Sequence, residues 1–222
     1  MPIAGPRGIL ECTYRRPAIV TTVIIASHNT GKIGEFNALL ADLAITVVSA
    51  RERGIDAFPP EVGATFCENA EAKARFVAGA TGAPALADDS GLVIDALNGE
   101  PGVYSARYGT DGMDEHDRLM LVLQQMENVP HERRTARFVS VVAFALPDGA
   151  VTSAEGRIEG HIAIAARGSQ GFGYDPIFLP EGSDRTFAEM DADEKNQISH
   201  RSRALRAVKP QVGTLLAARR DV

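Results

Sequence analysis

Two adjacent carboxylates, Asp88 and Asp89, separate a small apolar run, Ala83 to Ala87, from Ser90-Gly91-Leu92. An apolar run that stops at two acids reads as a strand ending where a turn begins. Neighbouring like charges repel, and taking them out of water penalises both. A divalent cation relieves both costs. Hard carboxylate oxygens suit Mg²⁺, which keeps several waters and completes its shell with substrate phosphates. Asp, Ser and Gly are also favoured turn residues, so the motif alone leaves both a metal site and a solvated turn open.

Three further segments could do chemistry. Ser27-His28-Asn29-Thr30-Gly31-Lys32 follows a β-branched run and precedes a helical pattern. The N-terminus of a helix offers unpaired N–H groups and a positive dipole end, which together favour phosphate, and Lys32 adds a point charge. It is not a Walker A loop: no glycine stands five residues before Gly31, and Ile33 occupies the place of the metal-binding hydroxyl. The alternative is a plain turn into a helix with an exposed lysine. Gly171-Phe172-Gly173-Tyr174-Asp175-Pro176 sets an aromatic between glycines, so Phe172 could stack on a base or serve as the core residue of a hairpin. Lys195, His200 and Arg201 make a donor-rich patch that could equally be a solvated stretch before a helix.

The elements that must position these residues alternate between strand and helix. Ala18 to Ala26 is an apolar, β-branched run suited to a strand buried on both faces. Ile33, Phe36, Leu39, Leu40 and Leu43 recur at helical spacing, and Ile45 to Val48 reads as the next strand. Thr65-Phe66-Cys67-Glu68 has the form of a capping box opening a helix with Phe66, Ala70, Ala74 and Val77 on one face. Leu86 and Leu92 to Leu97 read as strand on either side of the acids. Asp114 is suited to cap a third helix through Leu119, Leu123 and Met126, stopped by Pro130. Arg137 to Leu146 and Ala150 to Ile158 read as a hairpin around Pro147-Asp148-Gly149. From Ser199 the chain reads as helix through Leu205 and Val208, with Pro210 expected to break or kink it. No internal repeat or low-complexity tract is present.

Bulk properties narrow the classes. A chain of 222 residues that is 45% hydrophobic can bury a full core as one domain. A formal net charge of -6 gives no basic footprint for a nucleic-acid backbone, so no polymeric nucleic acid is expected. No stretch approaches the roughly 20 apolar residues that span a bilayer, so no membrane is expected either. Cys12 and Cys67 are the only cysteines. They are too few for a disulfide framework, fit a reducing, cytoplasmic setting, and are expected to be structural. Residues 1–18 read as a flexible extension, without the core of a signal peptide, and 19–222 as one two-lobed domain.

In combination these segments resemble the Ham1-like inosine/xanthosine triphosphate pyrophosphatases. Ser27 to Lys32 is similar to that family's [ST]-x-N-x-x-K motif, and Glu61 to Phe66, continuing through Glu68-Asn69-Ala70 to Lys73-Ala74, to its second. Ala87 to Leu92 with Pro101 to Tyr108 resembles its most characteristic block, and Gly171 to Pro176 and Ile198-Ser199-His200-Arg201 complete the set. The resemblance runs from about Val23 to the C-terminus. It implies an α/β fold in which a long, bent mixed sheet flanked by helices divides into two lobes around a cleft. It implies hydrolysis of ITP, dITP, XTP or dXTP to the monophosphate and pyrophosphate, with Mg²⁺ as cofactor. It further implies that Glu61 and Asp89 bind the metal and that Asp89 accepts the proton, with Lys73 and Asp88 in the catalytic set. Ser27, His28, Asn29, Thr30, Gly31, Lys32 and Ser90 then bind the substrate, while Phe172, Gly173, Tyr174, Asp175, Lys195, His200 and Arg201 surround its base. A homodimer is also implied. The competing readings are a Maf-like pyrimidine nucleotide pyrophosphatase, a P-loop ATPase or kinase, and a non-catalytic nucleotide-binding protein.

Overall fold

The computed structural model describes residues 21–41 and 45–218. The expected N-terminal extension, Cys12 and Leu43 lie outside them. Six strands form one mixed sheet: β1 (Thr21–Ile25), β2 (Ile45–Ser49), β3 (Ala85–Ile94), β4 (Thr135–Ala145), β5 (Val151–Ile162) and β6 (Phe178–Pro180), in the order β2-β1-β3-β4-β5-β6. β1 pairs in parallel with β2 and β3, and the remaining pairs are antiparallel. The helices are α1 (Thr30–Leu40), α2 (Phe66–Thr81), α3 (Glu115–Gln125), α4 (Ala192–Ile198) and α5 (His200–Ala218).

Strand alternation sorts the side chains between the two sheet faces. On one face Val23, Ile25, Leu86 and Phe144 pack with Phe36 of α1 and Leu205, Val208 and Val212 of α5. On the other, Ile24, Ala85, Ala87 and Ala143 meet Ala70, Ala74 and Val77 of α2. The alanines let α2 approach the sheet closely. Further along the strands, Leu92, Phe138 and Ile158 form a separate cluster with Leu119 of α3, Phe178 and Phe187. The Thr65 capping box and the Asp114 cap form as expected. Thr65 accepts from the Glu68 amide while Glu68 accepts from the Thr65 amide, and Asp114 and Asp117 do the same at α3.

Several expectations are corrected. The chain does not turn at the two acids, because β3 continues unbroken from Ala85 to Ile94. Its ladder with β4 covers that whole span, whereas β1 reaches only Ala85 and Leu86. Backbone bonding on one edge carries the strand past Asp88 and Asp89, leaving the other edge open to side chains. The strand expected to reach Leu97 instead gives way at Asp95–Leu97 to a 3₁₀ turn. The third helix ends at Gln125, before Pro130, which opens a 3₁₀ turn of its own. Pro210 does not break α5. A proline inside a helix costs about 3 kcal/mol, but Val208 and Val212 on either side of it are both buried against the sheet, and that packing holds the helix. Cys67 is exposed, with its thiol near Ser153 and Glu71.

Candidate active site

Asp88 and Asp89 follow each other on β3 and therefore face opposite sides of the sheet. Asp88 lies on the α1/α5 face. Its Oδ2 meets Lys32 Nζ at 3.0 Å and Arg201 Nε at 3.1 Å, and accepts from Ser90 Oγ at 3.0 Å. Burial alone would raise its pKa, but Lys32, Arg201 and Lys73 together hold it far below the usual carboxylate range. Asp89 lies on the α2 face, where Asn69 Nδ2 donates to it at 3.0 Å and the Ser90 amide at 3.1 Å. Desolvation, with Glu61 nearby, outweighs Lys73 and pushes its pKa up to about 6. One acid is saturated with positive charge; the other is buried and short of it.

α2 supplies the next layer. Lys73 Nζ meets Glu61 Oε1 at 2.6 Å and donates to the carbonyl of Asp88 at 3.0 Å, joining the loop before α2 to the centre of β3. Arg107 holds the other Glu61 oxygen at 2.9 Å and the Glu61 carbonyl at 3.0 Å. Lys73 and Arg107 override burial and keep Glu61 ionised, and Glu61 in turn raises the pKa of Lys73 despite burial. Glu61 and Asp89 are thus hard oxygen donors near one another. Among the described residues no group of three or more acids, histidines or cysteines forms an all-protein cage. Two carboxylates with the remaining positions left to water and phosphate is a donor set that fits a divalent cation of the magnesium type, and the undercompensated Asp89 is an acceptor such an ion would satisfy.

On the opposite face lies a cleft of about 140 Å³. Asn29 and Lys32 line it from the start of α1, Ser90 from β3, and Phe172 to Asp175 from the glycine-rich loop. Lys195 comes from α4, and His200 and Arg201 from the start of α5. Asn29 caps α1 by accepting from the Lys32 amide. Phe172 stands over Gly31: a Cβ there would lie 2.6 Å from the ring. Gly171 and Gly173 have φ of 74° and 59°, the left-handed conformation that glycine adopts without penalty. Lys195 Nζ and the Arg201 guanidinium carbon lie 4.7 and 5.5 Å from the Phe172 ring centre, and Asp175 fixes both the Phe172 amide and Lys195. His200 stacks on Phe138 at 4.7 Å, and burial holds its ring well below the usual histidine range, in the neutral form. The half-sites meet across the open edge of β3, where the charge of Lys32 bears on Glu61 and Asp89 as well as on Asp88.

Some expected residues turn elsewhere. His28 bonds the carbonyl of Ile55 at 3.0 Å and stacks on Phe58, away from the cleft. Ser27 is buried and accepts from the Asn29 amide, a local structural bond. Neither Thr30 nor Gly31 lines the cleft. Sequence reasoning assigned no role to Glu35, whose carboxylate bonds Lys195 at 3.0 Å and also Arg201, nor to Asn69, Arg107, Glu115 and Arg118.

The chain is similar to known proteins over most of its length. Residues 23–211 match the sequence model of the Ham1 family. The chain is 47% identical over 202 residues to the dITP/XTP pyrophosphatase of Streptomyces coelicolor, covering 89% of this chain and 100% of that protein. It is 46% identical over 188 residues to the dITP/XTP pyrophosphatase of Bacillus subtilis, covering 85% and 95%. Among solved structures, a HAM1 protein from Coxiella burnetii superposes with a TM-score of 0.78 at 42% identity, covering 90% of this chain and 100% of that one.

Proposed function

The chain belongs to the Ham1 family, and from that premise we propose that it hydrolyses non-canonical purine nucleoside triphosphates, dITP and XTP among them, between the α and β phosphates, releasing the monophosphate and pyrophosphate. The observation that carries the reading is the division of labour on β3. Asp88 is neutralised by Lys32 and Arg201, whereas Asp89 forms no ion pair among the described residues and is bonded by Asn69, with Glu61 and Lys73 close enough to act on it electrostatically. No helix among the described residues is long and apolar enough to cross a membrane. A role in cleansing the cytoplasmic nucleotide pool, carried out as a homodimer, completes the proposal.

The site's own groups divide the work. Lys32 and Asn29, which line the cleft at the start of α1, bind phosphate oxygens. The triphosphate then crosses the open edge of β3 toward Lys73. Glu61 and Asp89 are the residues that would hold a divalent cation, Mg²⁺ in this reading; when bound, it offsets charge on the phosphoryl oxygens and acidifies a coordinated water. Asp89 takes the proton from the attacking water. Asp88 keeps Lys32 and Arg201 in place, and Ser90, bonded to both Asp88 and Arg201, contacts substrate. Phe172 stacks on the base. Lys195 and Arg201 supply donors to its 6-oxo group, which adenine lacks, and a mismatched buried polar group of this kind discriminates by roughly 10⁴ to 10⁵.

Purified protein with Mg²⁺ and equal dITP, ITP, XTP, GTP, ATP and dTTP tests the reading. Preferential loss of the hypoxanthine and xanthine nucleotides supports it. Preference for dTTP, or tight binding of ITP without turnover, would replace it with a pyrimidine hydrolase or a non-catalytic binder.

A further inference from the structure

Four cations line the cleft, and three of them are already paired. Lys32 meets Asp88, Lys195 meets Glu35 and Asp175, and Arg201 meets Glu35 and Asp88. Arg118, near the start of α3, is the exception among the described residues. It lines the cleft, forms no ion pair, and its Nε is buried with no hydrogen-bond partner. A buried donor without a partner is costly in a folded protein and calls for an explanation. A ligand acceptor would provide one.

Its place in the cleft narrows what that acceptor is. Glu115, one turn earlier on α3, accepts from the Gly173 amide at 2.9 Å, so this end of α3 is tied to the loop that carries Phe172. Arg118 acts electrostatically on the buried phenol of Tyr174, whose hydroxyl donates to the carbonyl of Ser105 at 2.9 Å. Lys32 and Ser90, at the phosphate end of the same cleft, are engaged with Asp88 instead. Arg118 therefore belongs to the base end, on an element separate from Lys195 and Arg201.

We propose that Arg118 determines specificity at position 2 of the purine, donating to the 2-oxo group of xanthine and excluding the 2-amino group of guanine; this rests on the pyrophosphatase reading above. Guanidinium is a donor only, so it matches an oxo acceptor and mismatches an amine. Hypoxanthine, with hydrogen at position 2, neither gains nor clashes. The xanthine base of XTP also loses a proton near neutral pH and becomes anionic, whereas hypoxanthine stays neutral there. The attraction to Arg118 is therefore strongest once xanthine has ionised, and relative preference for XTP rises with pH.

The test measures kcat/KM for XTP, ITP and GTP at saturating Mg²⁺ from pH 5 to 8 in the wild type, Arg118→Met and Arg118→Lys. The expected results are an XTP to ITP ratio that climbs with pH in the wild type and falls about tenfold or more in Arg118→Met, the loss of one hydrogen bond to a charged group. Arg118→Lys retains most of the pH trend, and GTP gains on ITP in Arg118→Met. An unchanged XTP to ITP ratio in Arg118→Met overturns the assignment while leaving the hydrolase reading intact. Should that variant fail to fold, a flat wild-type ratio across the pH range overturns it by itself. A wild type that hydrolyses none of the three overturns the hydrolase reading and this assignment together.

Discussion

Asp88 and Asp89 are joined by one peptide bond yet are driven in opposite directions: Asp88 is held ionised by Lys32 and Arg201, while Asp89, on the other face of β3, is pushed up to about 6 by burial. Two titratable groups whose surroundings push them apart commonly take separate roles in a site. Their removal should therefore have different consequences.

Asp89→Asn is expected to cut Mg²⁺-dependent turnover by about 10²- to 10⁴-fold, the range of a positioned general base, with no fall in the Tm of the metal-free protein. It removes a charge that the fold buries at a cost. Steady-state kinetics and a thermal melt check both halves; substantial residual turnover would place the chemistry elsewhere.

Asp88→Asn is expected to lower stability markedly. Removing one partner of a buried ion pair costs about 3–5 kcal/mol because the other charge is left uncompensated, and here Lys32 loses its carboxylate while Arg201 keeps only Glu35. Urea titration should show a clear drop in midpoint relative to the wild type and to Asp89→Asn. Equal midpoints for the two variants would contradict the assigned geometry.

Glu35 predicts a pH dependence. Burial would raise its pKa, but Arg201 and Lys195 override this and hold it below the ordinary glutamate value. A carboxyl depressed in the folded state adds stability above its unfolded pKa, about 4.3, and that stability is lost as pH falls through the folded value. Melting temperature should accordingly drop on acidification below about pH 4.3. Glu35→Gln should be less stable at neutral pH and flatter across that window. A variant that tracks the wild type in parallel would show that Glu35 bears no such load.

Gly31→Ala tests the contact between the phosphate loop and the aromatic. An added Cβ would sit 2.6 Å from Phe172 Cδ1 and 2.8 Å from Cε1, so the ring must move. A misplacement of this size can cost up to about 10²-fold, expected here in kcat/KM with the Mg²⁺ dependence unaltered. Wild-type kcat/KM would mean that Phe172 leaves Gly31 freely when substrate binds.

The order of strands and helices was legible because it rests on local signals: the β-branched run Ala18 to Ala26, the Thr65 capping box, the Asp114 cap, and the Pro147-Asp148-Gly149 turn. The continuity of β3 was not. Two acids in a buried strand look like its end until the residues that neutralise Asp88, Lys32 and Arg201, are brought in from positions distant in the chain. Pro210 misleads for a related reason, since the burial of Val208 and Val212 is set by the sheet beneath them.

For the site, residue types in the motifs pointed to Lys32, Asp89, Phe172 and Lys195, but the direction of each side chain was invisible. His28 sits inside the phosphate-loop motif and yet turns to Ile55. Glu35 carried only one signal, an acid one turn beyond Lys32 and beside the buried Phe36, and Arg118 none, because an arginine on an amphipathic helix ordinarily faces solvent.

The central claim is cleavage of the α–β phosphoanhydride by this site in the presence of a divalent cation. Its most direct test is to quantify the products of XTP turnover with and without Mg²⁺. The account predicts equimolar XMP and pyrophosphate with the metal and neither without it. Release of orthophosphate together with XDP would contradict it.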